Sequence, residues 1–213
     1  MPSQIEIKPR WLATPALYTV LKALVFLIGL VPLGRLIWLA FNDGLGANPI
    51  EFITRSTGTW TLVFLLITLS VTPLRRITGY NGLIRFRRML GLFAFFYVCL
   101  HFTTYIWLDQ FFDLSAIVKD VIKRPFITIG FASFVLLIPL AITSTNAMQR
   151  RLKRRWQQLH RLVYLIAIGG VVHYWWLVKK DITQPAIYAL VLALLLGFRL
   201  SYWFLQRIPA AKP

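Results

Sequence analysis

The sequence predicts an all-α membrane protein, a six-transmembrane-helix bundle with both termini cytoplasmic. Three observations predict it. The 213 residues are 58% hydrophobic with a mean hydropathy of +0.66, too apolar for a water-soluble domain. The apolar residues gather into six spans parted by short polar stretches. The basic residues that give the chain its net charge of +17 alternate in density from one intervening stretch to the next. Charge clustered between spans marks topology, so the basic balance is not read as nucleic-acid binding.

The first span is Leu17 to Phe41, carrying Pro32 and Arg35. Lys8 and Arg10 precede it as in a signal peptide, but no small-residue cleavage site follows, so it is read as a retained helix. Lys22 and Arg35 lie near its two ends, where long side chains reach the interface. Asn42 to Pro49 is turn chemistry, and Ile50 to Thr57 reads as a short interfacial helix. The second span is Gly58 to Leu74 and the third Met89 to Leu108. Pro125 opens the fourth, which ends near Thr143. The fifth is Trp156 to Val178, and Pro185 opens the sixth, which ends at Leu205. No internal repeat or low-complexity tract is legible. Residues 1–16 and 206–213 are read as cytoplasmic tails flanking one membrane domain, residues 17–205.

Lysine and arginine set the orientation. With the N-terminus inside, the inner segments hold fourteen basic residues, among them Arg75, Arg76, Arg85, Arg87, Arg88 and the Arg150–Arg155 cluster. The outer segments hold six: Arg55, Lys119, Lys123, Arg124, Lys179 and Lys180. Basic residues favour the cytoplasmic side. All the acids except Glu6 fall in the outer segments.

All three histidines lie inside apolar spans. An ionisable residue within a membrane helix is costly and points to function, and neutral imidazole is a common ligand of haem iron. At about 1.5 Å per residue, His101 lies about 12 Å inside Asp109 at the outer edge of the third span. His173 lies about 9 Å inside Lys179 at the outer edge of the fifth. The two share a depth on helices running the same way. They therefore predict one bis-histidine haem between helices 3 and 5, near the outer face. His160 lies about 20 Å deeper and about 140° away around an ideal helix. The third span offers no matching ligand at that level, so His160 is assigned a separate site: a second haem, a quinone or a flavin.

Other signals are weaker. Gly169–Gly170, one turn before His173, admits either close approach of a flat macrocycle or close helix packing. Arg87 and Arg88, in the cluster Arg85-Phe-Arg-Arg88, are topogenic or hold an anionic cofactor or lipid headgroup. Tyr174, Trp175 and Trp176 read as an outer aromatic belt. The single cysteine, Cys99, excludes an intrachain disulfide and cysteine-ligated clusters. No glycine-rich phosphate loop accompanies the spans, so the chain is not expected to oxidise NAD(P)H alone. A self-sufficient ferric or cupric reductase, or a non-redox scaffold or transporter with histidines along a pathway, are the competing readings.

Several segments carry a family resemblance: Gly44-Leu-Gly-Ala-Asn-Pro49, Ile84-Arg-Phe-Arg-Arg-Met-Leu-Gly-Leu92, Leu100-His-Phe-Thr-Thr-Tyr105, Thr143-Ser-Thr-Asn-Ala-Met-Gln-Arg150, Trp156-Gln-Gln-Leu-His160 and His173-Tyr174. Over nearly its whole length the sequence resembles the MsrQ (YedZ) family. These are haem-binding membrane subunits of bacterial periplasmic methionine sulfoxide reductase systems, within the ferric reductase-like transmembrane domain family shared with NADPH oxidases. The resemblance implies a multi-pass inner-membrane protein with haem b and FMN. It implies electrons taken from the quinone pool and passed to a periplasmic, molybdopterin-containing, MsrP-like catalytic subunit, which carries out the methionine sulfoxide chemistry. The chain itself would be the electron-transfer subunit of that oxidoreductase complex, serving repair of oxidised periplasmic proteins. His101, His160 and His173 match the family's haem-ligand histidines. Wider relatives carry two histidines on each of two helices. This chain has one on its third span, which counts against a second bis-histidine haem.

Overall fold

The computed structural model describes residues 15–178 and 181–206, and every regular element among them is helical. Both expected tails, apart from their inner edges, lie outside the described residues. So do Glu6, Lys8, Arg10, Lys179, Lys180, Arg207 and Lys212, which carry part of the charge bias.

The chain divides into two compact units between Gly44 and Leu45. The first contains α1 (Pro15–Phe41), which continues through Pro32. Its end turns back on itself: Asn42 Nδ2 donates to Trp38 O at 2.7 Å and the Gly44 amide to Leu39 O at 2.8 Å.

The second unit begins with α2 (Pro49–Thr78). The expected break at Thr57 does not occur, and the interfacial segment and second span form one helix. Asn48 caps it by accepting from the Glu51 amide at 3.2 Å, with Pro49 in the first turn. The polar residues that made the span look short satisfy themselves within it. Thr57, Thr61 and Thr68 donate to the carbonyls of Ile53, Thr57 and Phe64, so no hydroxyl has to break the helix to find a partner. Gly79 ends α2 in the left-handed region at φ +69°.

A 3₁₀ turn, Asn81–Phe86, leads into α3 (Arg87–Thr104), whose last turn widens to a π-type turn over Tyr105–Asp109. The short α4 (Leu114–Lys123), capped by Asp113, has no counterpart in the sequence reading. A search for membrane-length spans passes over ten residues. The helix α5 (Pro125–Ile142) matches the fourth span. The connection that leads into the Arg150–Arg155 cluster is helical as well: α6 (Asn146–Leu152) is capped by Thr145, which accepts from the Met148 amide.

The expected fifth span is divided into α7 (Arg154–His160) and α8 (Leu162–Leu177). At the junction the Arg161 amide reaches Gln158 O at 3.2 Å and the Tyr164 amide reaches Arg161 O at 3.1 Å. These three-residue bonds tighten the turn and interrupt the α-helical ladder. Among the described residues five helical stretches are long and apolar enough to cross a membrane: Pro15–Phe41, Pro49–Thr78, Asn81–Asp109, Pro125–Ile142 and Thr183–Leu205. The last is α9, with Pro185 in its first turn as expected.

In the second unit, α2 packs on α3 and α8, and α5 packs on α8 and α3, closing a ring of four helices. Outside that ring, α9 packs on α2 and α8. The α2–α3 seam is aromatic. Phe64 stacks on Phe93 at 5.2 Å and on the fully buried Tyr97 at 5.4 Å. This seam and the α5–α8 seam hold opposite walls of the ring at fixed spacing.

Candidate functional site

His101 on α3 and His173 on α8 face each other inside the ring, with imidazole centroids 6.2 Å apart and planes at 78°. A histidine nitrogen binds a metal at about 2.0 Å, and the ring centroid lies about 1.2 Å beyond the nitrogen. An ion held between two trans imidazoles therefore sets the centroids about 6.4 Å apart. The observed spacing fits one metal ion between the rings.

Each ring is fixed from behind in the same manner. His101 Nδ1 donates to Thr54 O on α2 at 2.9 Å, and His173 Nδ1 donates to Phe126 O on α5 at 2.7 Å. A carbonyl can only accept, so both rings carry their proton on Nδ1. Nε2 keeps its lone pair for a ligand. Four residues after each carbonyl stands a glycine. A Cβ on Gly58 would lie 3.0 Å from His101 Cε1, and one on Gly130 would lie 2.7 Å from His173 Nδ1. The missing side chains are the space into which the imidazoles fit.

One shift along the chain carries Thr54 to Phe126, Gly58 to Gly130 and His101 to His173, with 47 residues between carbonyl and histidine in both sets. The ring is thus two similar hairpins, α2–α3 and α5–α8, although the sequence shows no legible repeat. The same shift carries Arg88 to His160, so an arginine occupies the slot where a second histidine on α3 would stand.

The histidines line a cavity of about 310 Å³. Leu62, Leu65, Phe102, Phe131, Phe134 and Leu137 make its walls apolar, while Arg55, Asp109 and Arg124 stand among its lining residues with Tyr105 and Tyr174. Arg55 pairs with Glu51 at 2.6 Å and Arg124 with Asp120 at 3.3 Å. Thr54 Oγ1, also in the lining, is buried without a hydrogen-bond partner. The two glycines read together in the sequence divide their roles. Gly170 lines the cavity, whereas Gly169 packs against Ser133 of α5, where a Cβ would collide with the hydroxyl.

Comparison with known proteins agrees with this architecture. The family model described as "Ferric reductase like transmembrane component" matches residues 54–171, from the first carbonyl anchor to just before His173. A protein of Herminiimonas arsenicoxydans named "Protein-methionine-sulfoxide reductase heme-binding subunit MsrQ" is 58% identical, covering 91% of this chain and 90% of its own. The chain belongs to the MsrQ family. Proteins of the same name from Ralstonia nicotianae and Bordetella pertussis are 59% and 54% identical. They cover 86% and 88% of this chain, and 85% and 92% of their own.

In this MsrQ-family chain the third histidine stands apart. His160, at the end of α7, places Nε2 3.0 Å from Thr143 Oγ1 at the end of α5 and stacks on Trp156 at 3.9 Å between centroids. Trp156 Nε1 in turn donates to Thr143 O at 2.9 Å. The group clamps the start of α7 to the end of α5. Of the two candidate arginines, Arg88 donates to Asn146 Oδ1 and is exposed. Arg87 is half-buried and acts electrostatically on both His160 and Arg199.

Reading the sequence missed Thr54, Phe126, Gly58 and Gly130, because a carbonyl anchor carries no side-chain signature and a glycine in an apolar span usually reads as packing. It also missed Arg199 of α9, which did leave a signal: an arginine within an apolar span.

Proposed function

We propose that the chain is a haem b electron-transfer subunit, with His101 and His173 as the two axial ligands. The observation that carries this reading is the pair of Nδ1-anchored imidazoles 6.2 Å apart. Among the described residues no group of three or more His, Cys, Asp or Glu is placed to hold a bare ion. Two imidazoles in an apolar cavity suit a metal whose equatorial donors come from a macrocycle. Bound there, haem supplies one-electron transfer without a proton being lost at the ligands. The protein contributes the fixed tautomers, the ring orientation and the dry walls formed by Phe102, Phe131 and Phe134.

On this reading α7 and α8 together make the remaining crossing, giving six. The arginine-rich end, with both termini, is cytoplasmic in the bacterial inner membrane, and the cavity lies toward the periplasm. A reporter fused after Pro213 should be active in the cytoplasm; activity confined to the periplasm would reverse the topology.

Electrons would enter from the quinone pool, and the chain would also hold FMN. They leave to a periplasmic molybdopterin-containing methionine sulfoxide reductase. The relatives' names support the partner's chemistry. Purified protein should show a b-type spectrum that dithionite reduces. With a catalytic amount of the partner, reduced protein should be fully reoxidised only when methionine sulfoxide is present. Equally fast reoxidation by ferric citrate without the partner would make the chain a self-sufficient reductase instead.

His160 serves electron entry in this scheme, at a quinone, flavin or inner haem. His160→Ala is expected to keep most of the low-spin signal while slowing reduction by a quinol. Loss of the haem spectrum as complete as in His173→Ala would end the single-haem reading.

A further inference from the structure

The arginine-rich end of the second unit holds a cationic site whose charge no described carboxylate of that unit balances. Arg199 lies in the apolar helix α9, six residues before Leu205, about 9 Å along the axis from that end. Its guanidinium reaches across to two other helices: Nη1 donates to Tyr164 Oη on α8 at 3.1 Å, and Nη2 donates to Leu69 O on α2 at 2.6 Å. Both acceptors are neutral. The third donor, Nε, is buried with no partner. Arg76 of α2 lies over the Tyr202 ring, one turn along α9, at 3.5 Å to the centroid. Arg76 and Arg87 both repel the Arg199 guanidinium.

Among the described residues of this unit no carboxylate is placed to answer these charges. The described acids of this unit are Glu51, Asp109, Asp113, Asp120 and Asp181. Glu51 opens α2 while Arg76 lies in its last turn. Asp109 ends the helical stretch that Arg87 begins, and Asp181 precedes α9 while Arg199 lies near its end. Asp113 and Asp120 belong to α4 and its cap, in the connection after Asp109. The acids therefore sit at the opposite ends of the same helices. Arg199 is half-buried with its Nε enclosed, and a cation held among apolar side chains without a counter-charge is costly unless an anion joins it.

We propose that Arg199 and Arg76 form a binding site for a phosphate-bearing anion at the arginine-rich end of the second unit. A guanidinium fork matches phosphate oxygens in pairs, and the free Arg199 Nε–H supplies a donor that the fold leaves unused. Arg76, exposed in the last turn of α2, opens the site toward the end of the helices where lipid headgroups lie. A phosphatidylglycerol phosphate is one source, and a soluble phosphate ester entering from the aqueous side is the other.

The test uses full-length protein purified with its cofactors in detergent and exchanged into micelles containing phosphatidylglycerol, phosphatidylcholine or no lipid. Retained lipid is read by native mass spectrometry, and inorganic phosphate binding by calorimetry in the lipid-free sample. Selective retention of phosphatidylglycerol, reduced about tenfold in Arg199→Gln and Arg76→Gln but not in the exposed Arg151→Gln, supports the site with a lipid occupant. Phosphate binding with the same arginine dependence and no retained lipid supports it with a soluble occupant. Arg76→Gln leaves both Arg199 hydrogen bonds in place, so a fall there is not a loss of the α9 contact. Unchanged retention and unchanged phosphate binding in both variants would overturn the proposal.

Discussion

Replacing His101 or His173 by alanine is expected to empty the cavity of low-spin haem. Each imidazole would supply one of only two protein bonds to the metal, and each is already committed through Nδ1 to a backbone carbonyl, Thr54 O or Phe126 O. No other histidine can move in, because His160 is engaged with Thr143 and Trp156 at the end of α5. Even partners one bond removed from a metal cost about 10–100-fold in affinity when mutated, so loss of an axial ligand should exceed that. Reduced-minus-oxidised spectra and extracted haem per protein should fall together, any residual haem being high-spin. A wild-type low-spin spectrum in either variant would show that the facing pair does not ligate the metal.

Gly130→Ala is expected to cost nearly as much haem although it changes no candidate ligand. The added methyl would stand 2.7 Å from His173 Nδ1, itself held 2.7 Å from Phe126 O. The ring can yield only by breaking that hydrogen bond, which unfixes the tautomer and turns Nε2 away from the opposing imidazole. Forcing a methyl into a packed interior costs about 1–3 kcal/mol, and here the strain falls on the imidazole itself. Gly58→Ala should be milder, since the nearest atom there is His101 Cε1 at 3.0 Å. The measurement is haem content with the thermal midpoint of the same samples. If Gly130→Ala keeps wild-type haem content, close approach of α5 does not set the orientation of His173.

The glycine effect explains why the candidate site was only half legible beforehand. His101 and His173 announce themselves as costly groups in apolar spans at equal depth, and the structure brings their rings together. Gly58 and Gly130 carry no such mark. Their role depends on a histidine 43 residues further along the chain, reached only when α2 packs on α3 and α5 on α8. His160 falls between the two cases. Its separation from the pair followed from helical rise and angle, but the partner that holds it, Thr143, comes from another helix.

The sequence by itself determined what depends on composition and local order. From these follow the apolar helices, with Pro125 and Pro185 in first turns, and the shared depth of two histidines. The tertiary structure alone decided where a locally plausible break is real. Thr57, Thr61 and Thr68 did not interrupt α2, because the hydroxyl of each finds a carbonyl one turn back. The uninterrupted-looking stretch from Trp156 to Val178 did break, at Arg161, while His160 and Trp156 engage Thr143. Only the structure could also show that Arg199 meets Leu69 and Tyr164. Such pairings join residues far apart in the chain, and no local pattern of hydropathy encodes which distant carbonyl, ring or empty Cβ position a side chain will meet.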